Sequence, residues 1–140
     1  MSARKQAIFL PPVFRFLMEL GAWGYFIILG ISNLGQDIVS SLVYFSVFLL
    51  SLLFLAIFNF PGDKRQNGPV NIPGWLRILN EWFSGGLISI IGAYLLFQET
   101  GAFLQFVLIL IVIVLDRKRY TWMLGFTDTA PEYVTILREM

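Results

Sequence analysis

Two pairs of oppositely charged residues stand inside apolar stretches of this chain, and their side chains could carry protons or bind ions. Arg15 and Glu19 are four residues apart, and Arg77 and Glu81 repeat the same spacing. On a helix this spacing places each pair on one face. Ionised groups inside a bilayer are costly and commonly mark ion pathways or proton relays. These four charges therefore define the first candidate functional site.

A structural role competes with ion transport for these charges. Exposure of these charged side chains to lipid would be costly, so they should face the interior of a helix bundle, where opposite charges can pair with one another. The spacing suggests an exchange across the centre, in which Arg15 reaches Glu81 and Arg77 reaches Glu19, with Asn80 as a hydrogen-bond partner. An arginine beside each carboxylate would keep it ionised and make it a poor proton carrier. A clasp between helices is the favoured interpretation, and a transport or ligand site is the alternative.

The two charge pairs belong to an internal repeat, because Arg77 follows Arg15 by 62 residues and several other residues recur at this offset. The further matched pairs are Pro11 with Pro73, Leu17 with Leu79, Gly24 with Gly86, and Asp37 with Glu99. Each half would be a helical hairpin that crosses a membrane twice. Two such hairpins keep the same orientation, which predicts a parallel repeat about an axis along the membrane normal.

Four apolar stretches supply the elements that would position these charges. About 20 apolar residues cross the roughly 30 Å of hydrocarbon in a bilayer. The stretches predict membrane helices over about 12–31, 38–60, 74–97 and 101–118, with an exposed middle loop at 61–73 and a tail at 119–140. Asp37 suits the start of the second helix, and residues 98–101 suit a tight turn. We therefore predict one all-α integral membrane domain over residues 1–140, a four-helix bundle of two pseudo-repeated hairpins.

The composition is typical of a membrane protein. Of 140 residues, 57% are hydrophobic and 14% are charged, whereas soluble domains have about 25% charged residues. The mean hydropathy is +0.74. The chain has no Cys and no His, which argues against thiol chemistry, His-ligated haem and ordinary zinc or iron–sulfur sites. We expect no cofactor, no metal and no enzymatic activity.

All ten Lys and Arg residues fall in three regions that would lie on one side of the membrane: Arg4, Lys5 and Arg15; Lys64, Arg65 and Arg77; Arg117, Lys118, Arg119 and Arg138. The charged residues of the two other connections are Asp37 and Glu99, which are both acidic. Cytoplasmic loops are enriched in Lys and Arg, so both termini are expected in the cytoplasm and the protein in the plasma membrane. The net charge of +1 favours contact with membrane lipid and argues against nucleic acid as a partner. Asp116 is interpreted as a helix end and not as a site.

Small residues recur where helices could approach closely: Gly21, Gly24, Gly85, Gly86, Ser89 and Ala93. Such residues allow two helix backbones to come close together in a membrane. Packing within the bundle is the favoured interpretation. A homodimer face, or a contact in a larger membrane complex, is the alternative.

Two segments resemble the YrdB-like family of small bacterial membrane proteins: Arg15-Phe16-Leu17-Met18-Glu19-Leu20 and Pro73-Gly74-Trp75-Leu76-Arg77-Ile78-Leu79-Asn80-Glu81. The resemblance covers roughly residues 13–115 and implies a four-helix layout, but it brings no established activity. A looser likeness to small multidrug resistance transporters rests on Glu19 in the first helix. The strong charge bias and the pairing of Glu19 with Arg15 argue against that likeness.

These observations favour a non-enzymatic accessory or scaffold subunit of the membrane, with a structural network of Arg and Glu residues. The alternative is a small proton- or ion-coupled transporter that uses Glu19 or Glu81. The sequence names no ligand and no partner protein for either function.

Overall fold

The computed structural model describes residues 3–63 and 68–139, with side chains from residue 8 onward, and these residues are mainly helical. In chain order the elements are α1 (Ala3–Asn33), α2 (Ile38–Ile57), β1 (Phe58–Asn59), β2 (Val70–Asn71), α3 (Gly74–Glu81), a π-helical segment (Trp82–Leu87), α4 (Ile88–Leu115), α5 (Arg117–Met123) and α6 (Glu132–Glu139). The predicted all-α fold class is confirmed.

α1 and α2 form a hairpin with a capped turn. Asp37 is the N-cap of α2, as predicted, and its carboxylate accepts hydrogen bonds from the Ser40 amide at 3.2 Å and the Ser40 hydroxyl at 2.6 Å. These bonds supply an acceptor for an amide that the first helical turn leaves without one. α1 begins at Ala3, well before the predicted start, and continues through Pro11 and Pro12. Prolines are tolerated in membrane helices because neighbouring groups satisfy the freed carbonyls.

The middle connection folds against the helices instead of lying wholly exposed. α2 ends at Ile57, earlier than predicted, because β1 follows and pairs in parallel with β2. The Asn59 side chain is buried, and its Nδ2 atom donates to the Ala56 carbonyl oxygen at 2.9 Å. This bond satisfies a carbonyl group at the end of α2, where the helix supplies no donor. Asp63 is also buried. Part of the predicted exposed loop is therefore packed.

The chain reverses direction within α4 at Gln98, where φ is 60° and ψ is −148°. Gly101 follows the reversal and lies so close to the preceding helical segment that a Cβ there would be 2.8 Å from the Ala93 carbonyl oxygen. Farther along, the Ile109 side chain packs beside Gly86. The parts of α4 before and after Gln98 therefore lie side by side, and the reversal falls within the predicted turn at 98–101.

A π-helical segment, Trp82–Leu87, separates α3 from α4 and was not predicted. It begins directly after Glu81 and contains adjacent glycines, Gly85 and Gly86. The Ser51 hydroxyl of α2 donates a hydrogen bond to the Ser84 carbonyl oxygen. A π-turn disturbs the regular α-helical hydrogen-bond ladder, and here a side chain from α2 binds one of its carbonyl groups.

α1 is the central helix and packs along both α2 and α4. One buried core is formed by Met18, Ile109 and Val112. A second, at the end where α3 meets α5, is formed by Ile78, Tyr120 and Met123. α6 contacts α1, so the C-terminal part folds back onto the helices.

The outer surface is strongly apolar. Large hydrophobic side chains such as Val39, Phe103 and Leu104 are more than 60% exposed, whereas soluble monomers rarely expose broad apolar patches. Three helical segments are long and apolar enough to cross a membrane: Ile8–Asn33, Ile38–Ile57 and Gly74–Leu115. Length, composition and surface together are those of a membrane protein.

Gly74, the first residue of α3, makes a very close contact between α3 and α5. A Cβ built there would lie 1.8 Å from the Met123 carbonyl oxygen, a backbone atom. We expect Gly74→Ala to lower the free energy of unfolding by about 1–3 kcal/mol, the usual cost of overpacking. Gly24→Ala is the matched control, because nothing lies within 4 Å of its Cβ position. Unfolding in detergent micelles measures both variants, and equal stabilities would contradict this contact.

Candidate functional site

A cluster of buried charges lies where the middle connection, α3 and α5 meet, and Arg119 is at its centre. The Nε and Nη2 atoms of Arg119 donate to the two carboxylate oxygens of Asp63 at 2.7 and 2.6 Å. Its Nη1 atom donates to Glu81 Oε1 at 3.1 Å and to Asp116 Oδ2 at 3.0 Å. One guanidinium group, only 1% exposed, thus binds three carboxylates. We name Arg15, Asp63, Glu81, Asp116 and Arg119 the charge cluster.

The charge cluster draws on distant parts of the chain. Asp63 follows β1, Glu81 ends α3, and Arg119 lies in the first turn of α5. Asp116 separates α4 from α5, and its φ of −95° and ψ of 8° mark a break in the helix. The break directs α5 toward the middle connection while Asp116 and Arg119 stay paired at an i, i+3 spacing. Arg119 therefore joins the middle connection to the end of α3 and to the end of α4.

Asp116 is the second junction of the charge cluster. It is fully buried, and Arg15 Nη1 donates to its Oδ2 atom at 3.0 Å. The Tyr133 hydroxyl donates to its Oδ1 atom at 2.7 Å. These bonds bring α1 and α6 to the same carboxylate as α5. Asp116 ends α4, as interpreted, but it also belongs to the site, which corrects the interpretation that it does not. The predicted tail is partly buried over residues 119–139.

Two aromatic residues complete the surroundings of Glu81. The Tyr120 hydroxyl donates to Glu81 Oε2 at 2.9 Å. The Trp82 Nε1 atom donates to the Tyr120 hydroxyl oxygen at 3.3 Å, and the two rings meet edge to face at 5.7 Å. Both oxygens of Glu81 therefore have a donor, and the site is closed on this side by aromatic rings.

The arrangement of these groups suits a structural ion network. Together with the buried Arg77, the charge cluster contains three guanidinium groups and three carboxylates, so its charges balance. Charge-assisted hydrogen bonds of this length are the strong ones in proteins. The Arg119 guanidinium occupies the space between the carboxylates where a metal ion would have to bind. Within residues 3–63 and 68–139, no group of His, Cys, Asp or Glu is arranged to hold a metal.

Three groups outside the apolar segments are held in one ionisation state: two members of the charge cluster, Asp63 and Arg119, and Tyr133, which donates to it. Burial disfavours the charged form of Asp63, but the charge and hydrogen bonds of Arg119 prevail and hold its pKa well below the usual range. Burial also disfavours the charged form of Arg119, but Glu81 and Asp63 raise its pKa well above the ordinary value. Burial, and then the charge of Asp116, raise the pKa of Tyr133. None of the three is suited to exchange protons near neutral pH.

The depressed pKa of Asp63 predicts sensitivity to acid. Its folded-state pKa lies below the unfolded value of about 3.9, so its stabilising contribution is complete above that value and is lost as the pH falls below it. We expect the free energy of unfolding to fall below about pH 4, and Asp63→Asn to reduce this dependence. Asp128→Asn, which changes an exposed carboxylate, is the control. Identical acid profiles for Asp63→Asn and the wild type would contradict the prediction.

The structure brings Arg15 and Glu81 into the charge cluster, but their hydrogen-bond partners differ from the predicted exchange. Arg15 donates to Asp116, and Glu81 accepts from Arg119 and Tyr120. Glu81 still attracts Arg15 at longer range. The physical reason is that Asp116 and Arg119 lie between α1 and α3, where the sequence analysis placed only the four charges of the repeat.

The repeat predicts that Arg77 matches Arg15 and that Glu19 matches Glu81, but the burial and contacts of Arg77 and Glu19 differ from those of their counterparts. Arg77 is 1% exposed, and its Nε and Nη1 atoms are buried without a hydrogen-bond partner among the described residues. Asp63 and Glu81 nevertheless attract its charge. Glu19 is half-buried, with its Cγ atom 3.6 Å from the Cβ position of Gly85.

Asn80 links α3 to α2 by hydrogen bonds instead of joining the charge cluster. Its Nδ2 atom donates to the Phe54 carbonyl oxygen at 2.9 Å, and its Oδ1 atom accepts from the Ser84 hydroxyl at 2.9 Å. Among the hydrogen bonds of the described residues, none joins Asn80 to the charge cluster. The predicted role of Asn80 as a partner of the buried charges is therefore corrected.

Most of the small residues predicted at helix contacts pack within the chain. A Cβ on Gly85 would be 3.2 Å from Met18, and one on Gly21 would be 2.9 Å from Gln105. Gly86 lies beside Ile109, and Ser89 and Ala93 have no exposed surface. Gly24 is the exception, with open space at its Cβ position. Except for Gly24, this pattern reflects packing between helices of one chain.

Sequence reasoning missed the residues that contribute most to the site: Asp63, Asp116, Arg119, Tyr120 and Tyr133. One signal was present, because the i, i+3 spacing of Asp116 and Arg119 allows a pair on one helix face. The run of three basic residues that follows Asp116 obscured it, since such runs usually lie at the membrane surface. The contact of Asp63 with Arg119 spans 56 residues, and no local pattern predicts it.

Comparison of the chain with protein-family models, curated proteins and solved structures finds no match.

Proposed function

We propose that this chain is a four-pass protein of the plasma membrane that acts as a non-enzymatic accessory or scaffold subunit. The segment Gly74–Leu115 has 42 residues, and as one straight helix it would measure about 63 Å, twice the hydrocarbon thickness of about 30 Å. The reversal at Gln98 divides it into two lengths that each suit one crossing. Four crossings return both termini to one side, and the positions of the Lys and Arg residues favour the cytoplasm.

A parallel repeat of two hairpins fits this topology, with α1 and α2 in the first hairpin and the parts of the chain before and after Gln98 in the second. The matching Arg and Glu residues of α1 and α3 support the repeat, and they carry the resemblance to the YrdB-like family, whose membership we propose on the same residues. The π-helical segment, Trp82–Leu87, would be an addition to the second hairpin.

The observation that carries the proposed function is the binding of three carboxylates by Arg119. Asp63, Glu81 and Asp116 are each hydrogen-bonded to this guanidinium group. A carboxylate held by an arginine stays ionised and is poorly suited to proton transfer. The charge cluster would instead hold the middle connection and the C-terminal helices against the bundle. These segments would then form a fixed cytoplasmic surface for a partner.

The surface beyond the bundle supports a role in assembly. The connection between α5 and α6 exposes Leu124 and Phe126, and Phe126 is 78% exposed. Exposed apolar side chains at the end of a membrane domain are available to a partner protein or to lipid. We propose that this connection and the middle connection make the cytoplasmic contacts of the subunit.

A small proton- or ion-coupled transporter that uses Glu19 or Glu81 is the second candidate. The π-helical segment that begins directly after Glu81 favours it, because π-turns within helices are frequent at functional sites. This function requires Glu81 to exchange protons or ions, although it is 1% exposed and bonded to Arg119. It predicts a pH-dependent current in reconstituted vesicles.

Native mass spectrometry after gentle extraction from the protein's own membrane tests the proposed function. We expect a stoichiometric complex with a different protein. A four-pass membrane protein with the same tag, extracted in parallel, identifies proteins that bind to the tag or the detergent. A bare monomer or homodimer, with or without lipid, would contradict the accessory role.

A further inference from the structure

Two grooves flank the junction of α4 and α5, at the end of the molecule that holds the charge cluster. The first, of about 450 Å³, is bounded by α1, the end of α4 and α6, and its apolar wall is formed by Ile8, Leu10, Pro11, Val114 and Leu115. The second, also of about 450 Å³, is bounded by α3 and α5, and its wall includes Trp75, Ile78, Leu79, Trp82 and Ile113. Both walls continue the apolar surface of the helices.

Arg117 is the one residue that lines both grooves. Lys118 lines the first groove beside it. Both side chains are exposed, whereas Arg119, which follows them, is buried in the charge cluster. The charged residues that line the grooves are Arg117, Lys118 and Glu132, so cations outnumber carboxylates by two to one. Arg117 therefore lies between the two apolar grooves, with Lys118 beside it at the first groove.

We propose that the junction of α4 and α5 binds one anionic diacyl phospholipid, whose phosphate contacts Arg117 and Lys118 and whose two acyl chains occupy the two grooves. The proposal rests on the membrane topology of the proposed function but not on the accessory role. Guanidinium and ammonium groups are the usual partners of phosphate. Basic residues at the cytoplasmic interface attract anionic lipids. A cation that borders both grooves matches a headgroup from which two chains diverge.

This arrangement also separates the charges by role. Arg119 is satisfied by Asp63, Glu81 and Asp116, and it would hold α5 in place. Arg117 makes only a long hydrogen bond of 3.4 Å, to the Val114 carbonyl oxygen, among the hydrogen bonds of the described residues. A phosphate oxygen offers Arg117 a stronger, charged acceptor. The buried cation positions the helix, and the exposed cations would bind the lipid.

Titration of the purified full chain with defined lipids in neutral detergent, followed by native mass spectrometry, tests the site. We expect one phosphatidylglycerol per chain to bind in preference to phosphatidylcholine. Arg117→Gln combined with Lys118→Gln should weaken phosphatidylglycerol binding about tenfold or more. Lys64→Gln combined with Arg65→Gln removes the same net charge at positions outside the described residues, and the proposal requires a smaller loss of affinity than for the first pair. Both substituted pairs should bind phosphatidylcholine as the wild type does.

Equal losses in the two double variants would overturn the proposal, because diffuse attraction to a basic face would then explain binding. Equal affinity for phosphatidylglycerol and phosphatidylcholine would also overturn it. Lysophosphatidylglycerol, which has one acyl chain, should bind more weakly than the diacyl lipid, and equal binding would contradict the use of both grooves. A lipid site without a partner protein in the native complex would leave this inference intact while contradicting the accessory role.

Discussion

Arg119→Met is expected to lower the free energy of unfolding by about 3–5 kcal/mol, the cost of removing one partner from a buried ion network. Methionine keeps much of the length of the side chain but leaves Asp63, Glu81 and Asp116 without their common donor. Three buried carboxylates would then repel one another or take up protons. Denaturant unfolding in detergent micelles measures the change.

Arg117→Met is the matched control for this variant. The residue is of the same type, lies two positions away in the same short helix and is exposed. Substitutions at exposed positions usually change stability by less than about 0.5 kcal/mol. If the two variants were equally stable in the absence of added lipid, Arg119 would not be the centre of the network.

Asp116→Asn should be nearly as damaging, with a loss of about 3 kcal/mol in the free energy of unfolding. The amide can still accept a hydrogen bond from Tyr133, but it removes the negative charge that Arg15 and Arg119 share. Asp128→Asn makes the same change at an exposed position and should have little effect. A loss confined to the control, or absent from both variants, would contradict the assignment of Asp116 to the network.

The effects of Arg119→Met and Asp116→Asn on the free energy of unfolding should also be coupled. Because Asp116 and Arg119 are hydrogen-bonded at 3.0 Å, the double variant should lose less than the sum of the single losses, by about 0.5–3 kcal/mol. Additive losses would indicate that the two side chains stabilise the fold independently.

Buried ion networks add little net stability compared with apolar residues of the same size, although they are costly to break. We therefore interpret the charge cluster as a set of contacts that fixes the positions of the middle connection and of α5 relative to the other helices. In the observed position of α5, Arg119 reaches Asp63 and Glu81 together. The same position brings Asp116 to Arg15 of α1 and to Tyr133 of α6.

The sequence was sufficient for the features that have a local pattern. Apolar length predicted helices over the three segments that are long and apolar enough to cross a membrane. The turn residues predicted the start of α2 at Asp37. The cost of a buried charge identified Arg15, Arg77 and Glu81 as residues of the interior, where the structure places them largely or fully buried. Each of these inferences depends on residues within a few positions of one another.

The remaining features depend on contacts between distant segments. Asp63 lies in a polar loop and Arg119 in a basic run, and each taken alone is typical of an exposed position. Their burial follows from the folding of α5 back over the middle connection. The π-helical segment after Glu81 also has no local signal strong enough to predict it.

Proton flux into reconstituted vesicles, measured for the wild type and for Glu81→Gln with Glu99→Gln as the control, tests most directly whether the buried charges are structural. A structural network predicts that wild-type vesicles conduct no more protons than protein-free vesicles. It also predicts that Glu81→Gln is less stable in the same preparation, whereas Glu99→Gln, at an exposed position, is not. A pH-dependent current in the wild type that disappears in Glu81→Gln would contradict this account and establish Glu81 as a transport residue.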